Sequence, residues 1–232
     1  MADDSEVAFA GPARKRALIT GGGGTLAQAT ADALRQTGRF AEILTPSHSE
    51  LDVTDGEAIR SFFAQFDRID LLINNAGLTI DAPAIKLTES DWDTVLDANL
   101  RGAFLCSREA IRSMFRQRSG HIVNIGSFSA LRPPAGQANY AAAKAGLIGL
   151  TQSLAEEVGK RGVRVNCVLP GFLEETGMTR GLPDSVVDQA RTAHVLGRFN
   201  TPAEAGKFIA FLDEMEAVSA QVFQLDSRIR RW

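Results

Sequence analysis

Cysteine is scarce in this chain: Cys106 and Cys167 are the only two among 232 residues. Both stand in apolar surroundings without the spacing of metal ligands, so we expect buried free thiols and no metal site. Reduced thiols are typical of a cytoplasmic protein, and they argue against a small secreted scaffold held together by disulfides. Stability must then come from a packed core, which a chain of this length can supply.

Long apolar runs and an excess of one charge are also absent. No stretch approaches the roughly 20 apolar residues of a membrane span. The 25 basic and 28 acidic residues are interspersed and give a formal net charge of −3, which argues against nucleic acid or a membrane surface as a partner. Residues 1–13 are small and acidic, unlike a signal peptide, and we interpret them as a disordered tail before a single domain over residues 14–232.

Tyrosine is rarer still, and the single one, Tyr140, has a chemically informative neighbour. Lys144 follows four residues later in an alanine-rich run that favours a helix, so both side chains would share one helix face. A nearby ammonium favours the phenolate and lowers a tyrosine pKa from about 10, which would make the phenol a usable acid. Ser127, after the apolar run 121–125, could polarise a carbonyl oxygen that Tyr140 protonates. On this spacing alone, a packed tyrosine beside an exposed lysine is the more common interpretation.

Glycine is concentrated near the start of the chain. The apolar run 16–20 predicts a strand, Gly21 to Gly24 follow it, and residues 26–36 predict a helix. In this context the glycines let the backbone approach a pyrophosphate at the positive end of the helix. A plain glycine turn is the alternative interpretation.

Together, Ser127, Tyr140, Lys144 and the strand–glycine–helix unit resemble the short-chain dehydrogenase/reductase family in its single-domain branch. That branch usually has Thr-Gly-x-x-x-Gly-x-Gly in the turn, whereas Thr25 and Ala27 stand at the later glycine positions here. Another alignment of the turn resembles the longer sugar-nucleotide branch, although 232 residues leave no room for the usual substrate domain of that branch. Either alignment implies pyrophosphate binding.

The resemblance covers about residues 15–228 and implies an α/β fold with a single Rossmann-like, doubly wound, mostly parallel sheet and helices on both faces. Alternating strand and helix patterns predict the same arrangement, with the cofactor across the carboxyl ends of the strands. The unit after the second strand, 40–44, is shortened, because thirteen residues between Gly38 and Asp52 leave no room for its helix. We expect a vestigial third strand at 51–53 and a more open adenine side.

The resemblance also assigns functional roles. Asn99, inside a helical stretch predicted over residues 92–118, would support a proton relay from water through Lys144 to Tyr140. The implied catalytic residues are Asn99, Ser127, Tyr140 and Lys144. Contacts to the cofactor are implied for Gly21, Gly23, Gly24, Leu26, Thr45, Asp52, Val53, Asn75, Ala76, Gly77, Tyr140, Lys144, Pro170, Gly171, Leu173 and Thr176. A mobile substrate lid is expected at about residues 172–195.

The end of the second strand usually decides between the two nicotinamide cofactors. An acid there binds the ribose of NAD, and a base accepts the extra phosphate of NADP. Here the chain reads Thr45-Pro-Ser-His48. The lack of a carboxylate mildly favours NADP(H) over NAD(H), with Thr45, Ser47 and His48 as candidate phosphate donors. A solvated loop residue is an equal interpretation of His48.

The carboxyl-terminal strand, expected at residues 221–226, departs from the family. Its usual ending is Asp-Gly-Gly, whereas Ser227-Arg228 follow Asp226 here. We therefore expect different contacts at this end of the sheet.

Residues 136–149 are most similar to 3-oxoacyl-acyl-carrier-protein reductases of fatty acid biosynthesis. This similarity implies reduction of a ketone to a secondary alcohol, with the substrate delivered on acyl carrier protein. Arg118 and Arg161 fall where those reductases contact the acidic carrier, although solvated cations at helix ends are an equal interpretation. The family also implies a homotetramer or dimer. The alternatives are a dehydrogenase of another small alcohol, sugar, steroid or polyketide ketone, and a dinucleotide-binding regulator without catalysis.

Overall fold

One parallel sheet of six strands runs through the described part of the chain, in the order β2-β1-β3-β4-β5-β6. The computed structural model describes residues 15–174, 176–177, 179, 181 and 183–229, so the expected tail over residues 1–13 lies outside it. The strands are β1 (Lys15–Ile19), β2 (Phe40–Leu44), β3 (Leu71–Asn74), β4 (Gly120–Ile125), β5 (Val163–Leu169) and β6 (Val222–Gln224). The predicted doubly wound parallel sheet is confirmed.

Seven α-helices connect these strands within the described ranges. They are α1 (Thr25–Gln36), α2 (Gly56–Phe63), α3 (Glu89–Leu96), α4 (Gly102–Gln117), α5 (Ala138–Val158), α6 (Asp184–Thr192) and α7 (Pro202–Glu214). Helix α7 begins with a capping box, in which Thr201 accepts from the Glu204 amide and Glu204 reaches back to the Thr201 amide. Within those ranges no helix combines the length and apolar character that a bilayer crossing requires.

The helices pack on both faces of the sheet and form a separate hydrophobic core on each face. Alternate side chains of a strand point to opposite faces, so Leu18 of β1 packs into one core while Ala17 and Ile19 pack into the other. Helices α2, α4 and α5 cover the first face, and α1 and α7 cover the second. Both free cysteines, Cys106 and Cys167, are buried, as the composition predicted.

The order of the strands reverses beside β1, because β2 lies on one side of it and β3 on the other. The chain crosses from one face to the other at this point, and in doubly wound sheets such a switch point lies at a crevice outside the carboxyl ends of the strands, here β1 and β3. Cofactors of doubly wound proteins bind in that crevice, and the predicted glycine turn lies at its edge.

The expected third strand at residues 51–53 is wrong, since this segment is a loop between β2 and α2. Leu51 and Val53 are 3% and 6% exposed and pack against Ile59 and Phe63 of α2. The two apolar residues therefore fill the core under the loop instead of pairing with β2. Within the described residues β2 is the edge of the sheet.

Candidate active site

The glycine turn between β1 and α1 is shaped by close approach of neighbouring backbone. Gly21 has a φ of 68°, and a Cβ there would lie 2.9 Å from the Cα of Ala76. A Cβ on Gly22 would lie 2.0 Å from the carbonyl oxygen of Thr45, whereas one on Gly23 would meet nothing within 4 Å. Gly22 was not among the predicted cofactor residues, yet it has the tightest packing of the turn, because the loop after β2 crosses directly over it.

Two polar side chains tie this turn to the end of β3. The Thr20 hydroxyl accepts hydrogen bonds from the amides of Asn75 and Ala76 at 3.1 and 3.0 Å. The Asn75 side chain donates back to the Thr20 carbonyl at 3.0 Å. Asn74 points the other way and donates to the side chain of Asn124 on β4 at 2.8 Å. The Asn-Asn-Ala-Gly stretch therefore links β1, β3 and β4 around the crevice.

The residues at the start of α1 fit the diphosphate of a dinucleotide. Gly24 precedes the helix and provides no side-chain cap for its first amides. Uncapped amides and the positive end of the helix dipole suit an anion, and the empty space at Gly23 leaves room for one. Thr25 and Ala27, at the positions of the usual glycines, both lie inside the helix, where glycine is not required.

Ser127 and Tyr140 come together at the carboxyl end of β4. Ser127 follows that strand and caps a 3-10 turn, Phe128–Ala130, with its hydroxyl accepting from the Ser129 amide at 3.1 Å. Tyr140 is on the first turn of α5 and is 8% exposed. Burial is the largest influence on its pKa and raises it; the Ser127 hydroxyl is close enough to oppose this, and the Asp81 carboxylate raises the pKa further.

Lys144 is buried one helical turn after Tyr140, as predicted, and its ammonium lies over the tyrosine ring while donating to a backbone carbonyl. Its Nζ donates to the carbonyl oxygen of Ile125 at 2.9 Å and lies 5.6 Å from the centroid of the Tyr140 ring. Burial lowers the pKa of Lys144 to about 8. The expected direction of the tyrosine shift is therefore wrong for the chain alone, because desolvation of the phenol outweighs any effect of this ammonium.

Asn99 lies in an irregular part of the helical stretch between α3 and α4. The segment Asp97–Arg101 is a π-helix, and the Gly102 amide closes it by donating to the Asp97 carbonyl. The Asn99 side chain donates to the carbonyls of Leu78 and Val95 at 2.8 and 2.9 Å. Single π-turns inside α-helices are frequent at functional sites. Sequence patterns predicted one long helix and missed this turn.

Asn99 and Lys144 approach the same backbone position. A Cβ on Gly77 would lie 2.4 Å from the Asn99 Oδ1 and 3.6 Å from the Lys144 Nζ. The Asn99 Oδ1 is buried and has no hydrogen-bond partner within the described ranges. Glycine at the end of the Asn-Asn-Ala-Gly stretch is thus required for these two side chains to converge.

The residues after β5 that were predicted to contact the cofactor are held in place by several hydrogen bonds and close contacts. Gly171 has a φ of 88°, and a Cβ there would lie 2.8 Å from the Cβ of Asp226. Leu173 is buried, and its carbonyl accepts from the Thr179 hydroxyl at 2.7 Å, which in turn lies 3.0 Å from the Thr176 hydroxyl. Pro170 is held by the Asn200 side chain, which donates to its carbonyl at 2.9 Å. Helix α6 lies in the expected lid, of which residues 175, 178, 180 and 182 are outside the described set.

The loop after β2 contains a carboxylate that the sequence interpretation overlooked. Glu50 accepts from the amide and the hydroxyl of Ser47 at 2.8 and 2.7 Å, so the Ser47 donors are already paired. His48 is exposed, and its Nδ1 lies 3.8 Å from the Asp52 carboxylate. Burial disfavours the charged form of Asp52, but hydrogen bonds from Thr54 outweigh it and lower the pKa of that carboxyl.

The two arginines expected to contact a carrier protein lie together, but at the amino ends of the strands, opposite the candidate site. Arg118 ends α4 with a φ of 53°, and its carbonyl would be 2.5 Å from a Cβ on Gly162. Arg161 lies over the ring of Phe115, 5.5 Å from its centroid. Both precede the amino ends of β4 and β5, whereas Ser127 follows the carboxyl end of β4. Within one chain they do not border the candidate site.

A crevice at the switch point, with serine, tyrosine and lysine beside it, is typical of nicotinamide-dependent oxidoreductases. Comparison with known families agrees, since a family model described as Enoyl-(Acyl carrier protein) reductase matches residues 19–227. The chain belongs to the short-chain dehydrogenase/reductase family.

Particular relatives are also similar over most of the chain. A 3-oxoacyl-[acyl-carrier-protein] reductase of Chlamydia trachomatis is 38% identical over 211 residues, which cover 90% of this chain and 84% of the relative. The enzyme of the same name from Thermotoga maritima is 42% identical over 182 residues, covering 76% and 74%. That of Vibrio cholerae is 37% identical over 225 residues, covering 88% and 91%.

Proposed function

We propose that this protein reduces the ketone of a 3-oxoacyl thioester to a secondary alcohol, using a reduced nicotinamide cofactor. The single observation that carries the proposal is the placement of Ser127, Tyr140 and Lys144 at the carboxyl end of β4, where Ser127 follows the strand and the Lys144 Nζ on α5 donates to the carbonyl of Ile125, its last residue. The thioester is inferred from the names of the relatives, each a 3-oxoacyl-[acyl-carrier-protein] reductase.

Each of the four predicted residues has a role in this proposal. A bound nicotinamide would supply a hydride to the ketone carbon. Ser127 donates a hydrogen bond to the ketone oxygen, and Tyr140 gives that oxygen a proton. The phenol is protonated at neutral pH, as a proton donor must be, and burial, which raises its pKa above 10, makes it a weaker acid than a phenol in water. Lys144 and Asn99 lie behind it and return the proton, with the Lys144 ammonium held by the Ile125 carbonyl.

The crevice supports a dinucleotide through the residues named in the sequence interpretation. The amides at the start of α1 would bind the diphosphate, and Asp52 and Val53 would border the adenine. We propose NADP(H), because no carboxylate directly follows β2. Glu50 opposes this choice, since it pairs with the Ser47 donors that would otherwise be available to a phosphate.

We further propose a cytoplasmic homo-oligomer, a tetramer or a dimer, that takes its substrate from acyl carrier protein. Helices α4 and α5 would form the interface, and Phe104 of α4 leaves 40% of its surface exposed. Arg118 and Arg161 precede the amino ends of β4 and β5, whereas Ser127 follows β4, so we propose that a carrier bound to them supplies the site of another copy.

The experiment is a turnover assay of the purified protein with acetoacetyl-coenzyme A, a simple 3-oxoacyl thioester, and with NADPH or NADH. We expect oxidation of the cofactor at 340 nm in the wild type. Tyr140→Phe keeps the ring and removes the proton, so turnover should fall by about 10²–10⁴-fold while cofactor affinity is retained. A binding titration with the same cofactor measures the second quantity.

Three results would contradict the proposal in different ways. Full turnover by Tyr140→Phe would remove the phenol from the mechanism. Cofactor binding without turnover of any thioester, sugar, steroid or polyketide ketone would instead favour a dinucleotide-binding regulator. Turnover of one of those other ketones alone would keep the reaction and replace the substrate.

A further inference from the structure

The chain ends its sheet with a segment that differs from the family, and this segment makes an unusual set of contacts. We call residues 226–228 the C-terminal strap. The Asp226 side chain is fully buried, and the Arg228 Nε donates to its Oδ2 at 2.8 Å, with a second bond from Nη2. Gln224 donates to the Asp226 Oδ1 at 2.7 Å and to the Arg228 carbonyl at 2.8 Å. The guanidinium is therefore held in one orientation.

One side of the strap holds the end of the expected lid. The carbonyl and hydroxyl of Ser227 accept from the amides of Val195 and Leu196, both at 3.2 Å. His194 pairs with Arg228 in an isolated antiparallel bridge. The end of the lid is thus hydrogen-bonded to the strap at this point.

The other side of the strap lies against the turn that contains Ser127. The Arg228 guanidinium carbon is 3.6 Å from the centroid of the Phe128 ring, which is the distance of direct stacking. Phe128 is the first residue of the 3-10 turn, and its carbonyl accepts from the amides of Leu131 and Arg132, both at 2.9 Å. A fixed ring therefore fixes the backbone next to Ser127.

We propose that Arg228 is a positioning residue for Ser127, acting through the Phe128 ring, and that the strap couples this position to the end of the lid. The glycines that usually end this strand have no side chain for such a contact, so the coupling is a property of this chain. The proposal rests on the proposed reductase function, in which Ser127 polarises the ketone oxygen.

Arginine is the residue that this arrangement requires. Its planar group can donate hydrogen bonds to a carboxylate along one edge and stack on an aromatic ring with its face at the same time. Lysine could pair with Asp226, but it has no planar face to hold the ring. The Arg228 side chain is 15% exposed, so the stack is largely shielded from solvent.

The test compares Arg228→Ala, Arg228→Lys and Phe128→Leu with a matched control, Arg35→Ala. Arg35 makes an exposed pair with Asp32 on α1, where 52% and 66% of the two side chains are accessible. A displacement of about 1 Å in an active site can reduce turnover about 10²-fold. We expect Arg228→Ala and Phe128→Leu to lower kcat by about 10–100-fold, with the cofactor dissociation constant within about twofold of wild type.

Further comparisons separate positioning from charge. Arg228→Lys should recover little of the kcat that Arg228→Ala loses. The double variant Arg228→Ala/Phe128→Leu should have a kcat no lower than that of the poorer single variant, since the two substitutions remove the same contact. Full recovery by lysine would overturn the stacking role. A loss that disappears after correction for the folded fraction, measured by thermal unfolding, would overturn positioning as well.

Hydrogen exchange gives a readout that does not depend on activity. The amides of Ala130 and Leu131 are hydrogen-bonded within the turn, at 3.1 and 2.9 Å. Exchange in a peptide covering residues 126–132 should accelerate in Arg228→Ala and stay unchanged in Arg35→Ala. Unchanged exchange would overturn the proposal even if the wild type reduces no ketone, so its failure is distinct from failure of the reductase assignment.

Discussion

Tyr140 and Lys144 are both buried, and burial moves their pKa values in opposite directions. It raises the pKa of the phenol and lowers that of the ammonium to about 8, because water no longer stabilises either charged form. The result is a protonated phenol beside an amine that can release its proton close to physiological pH. This arrangement suits a proton donor and the group that refills it.

Asp81 is the charged residue that most directly tests the state of the phenol. Its carboxylate accepts from the Gln137 side chain at 2.8 Å and raises the pKa of Tyr140. Asp81→Asn should therefore lower that pKa. Because reduction needs the protonated phenol, activity is lost as pH rises through this value, and the alkaline limb of kcat/KM should move to lower pH.

The pH profile of Asp32→Asn provides the control, since Asp32 is an exposed carboxylate on α1 whose only ion pair in the described chain is with Arg35. An alkaline limb that stays in place in Asp81→Asn would separate that limb from Tyr140.

At the scale of elements, a buried polar cluster joins the amino ends of the strands to the end of α7. Asp213 is 2% exposed and lies 3.2 Å from the Nδ1 of His121 on β4. It also accepts from Lys15 and Arg39, each at 3.1 Å. These hydrogen bonds lower the pKa of Asp213 although burial, the largest single influence, raises it. One carboxylate thus connects α7 to β1, to β4 and to the turn before β2, at the end of the sheet opposite the candidate site.

His121 makes this cluster sensitive to acid. Burial lowers its pKa from 6.5 to about 4, so between these values the unfolded chain binds a proton that the folded chain does not. Stability from this group is therefore present above pH 6.5 and is lost as pH falls towards 4. We expect the free energy of unfolding of wild type to decline across this window, and His121→Gln to decline less.

Urea unfolding at a series of pH values measures this difference. His48→Gln is the matched control, because 82% of the His48 side chain is accessible and its replacement should leave the decline unchanged. Equal slopes for His121→Gln and wild type would show that another group is responsible.

At the scale of the whole molecule, the two edges of the sheet have separate tasks. The carboxyl edge holds Ser127, Tyr140 and the glycine turn, and the amino edge holds the polar cluster and the two arginines. Each end of the strands has a buried basic side chain, Lys144 at the carboxyl ends and His121 at the amino ends. Together they shape how the stability of the fold depends on pH.

Lys144 should affect the alkaline side of that dependence. Its folded pKa of about 8 lies below the ordinary 10.5, so between these values the unfolded chain binds more protons and stability rises with pH. Relative to Lys144→Met, the wild type should gain up to a few kcal/mol across this window. Denaturant unfolding between pH 7 and 10.5 measures the gain, and the exposed Lys160→Met provides the control. A difference in the free energy of unfolding between wild type and Lys144→Met that stays constant at all pH values would contradict this prediction.

Much of the molecule could be predicted from its sequence, because local patterns carry the information. Alternating strand and helix patterns gave the parallel sheet, and the order of motifs placed Ser127 and Tyr140 at the same edge. The π-turn at Asn99 could not be predicted, since it depends on packing against Leu78 from a distant loop. The predicted direction of the Tyr140 pKa shift was wrong for a similar reason, because burial of the phenol is a property of the folded chain.

Other misses share that physical origin. Residues 51–53 have a strand-like composition, but core packing under the loop was more favourable than pairing. The sequence placed Gly22 in the glycine turn but could not show why glycine is required there, because the close contact comes from Thr45, in the loop after β2. Glu50 lies six residues after β2, and only the fold of the loop brings it to Ser47.

Because residues 51–53 form no strand, β2 is an edge strand of the sheet, where a neighbouring protein could add a strand of its own. Several features discourage this. The strand is five residues long, Glu42 in its middle carries a charge that pairs with Arg16, and Pro46 follows without an amide hydrogen to offer. The edge strand on this side of the sheet is therefore short, charged in its middle and followed by proline, and these are features by which natural sheets avoid pairing with another chain.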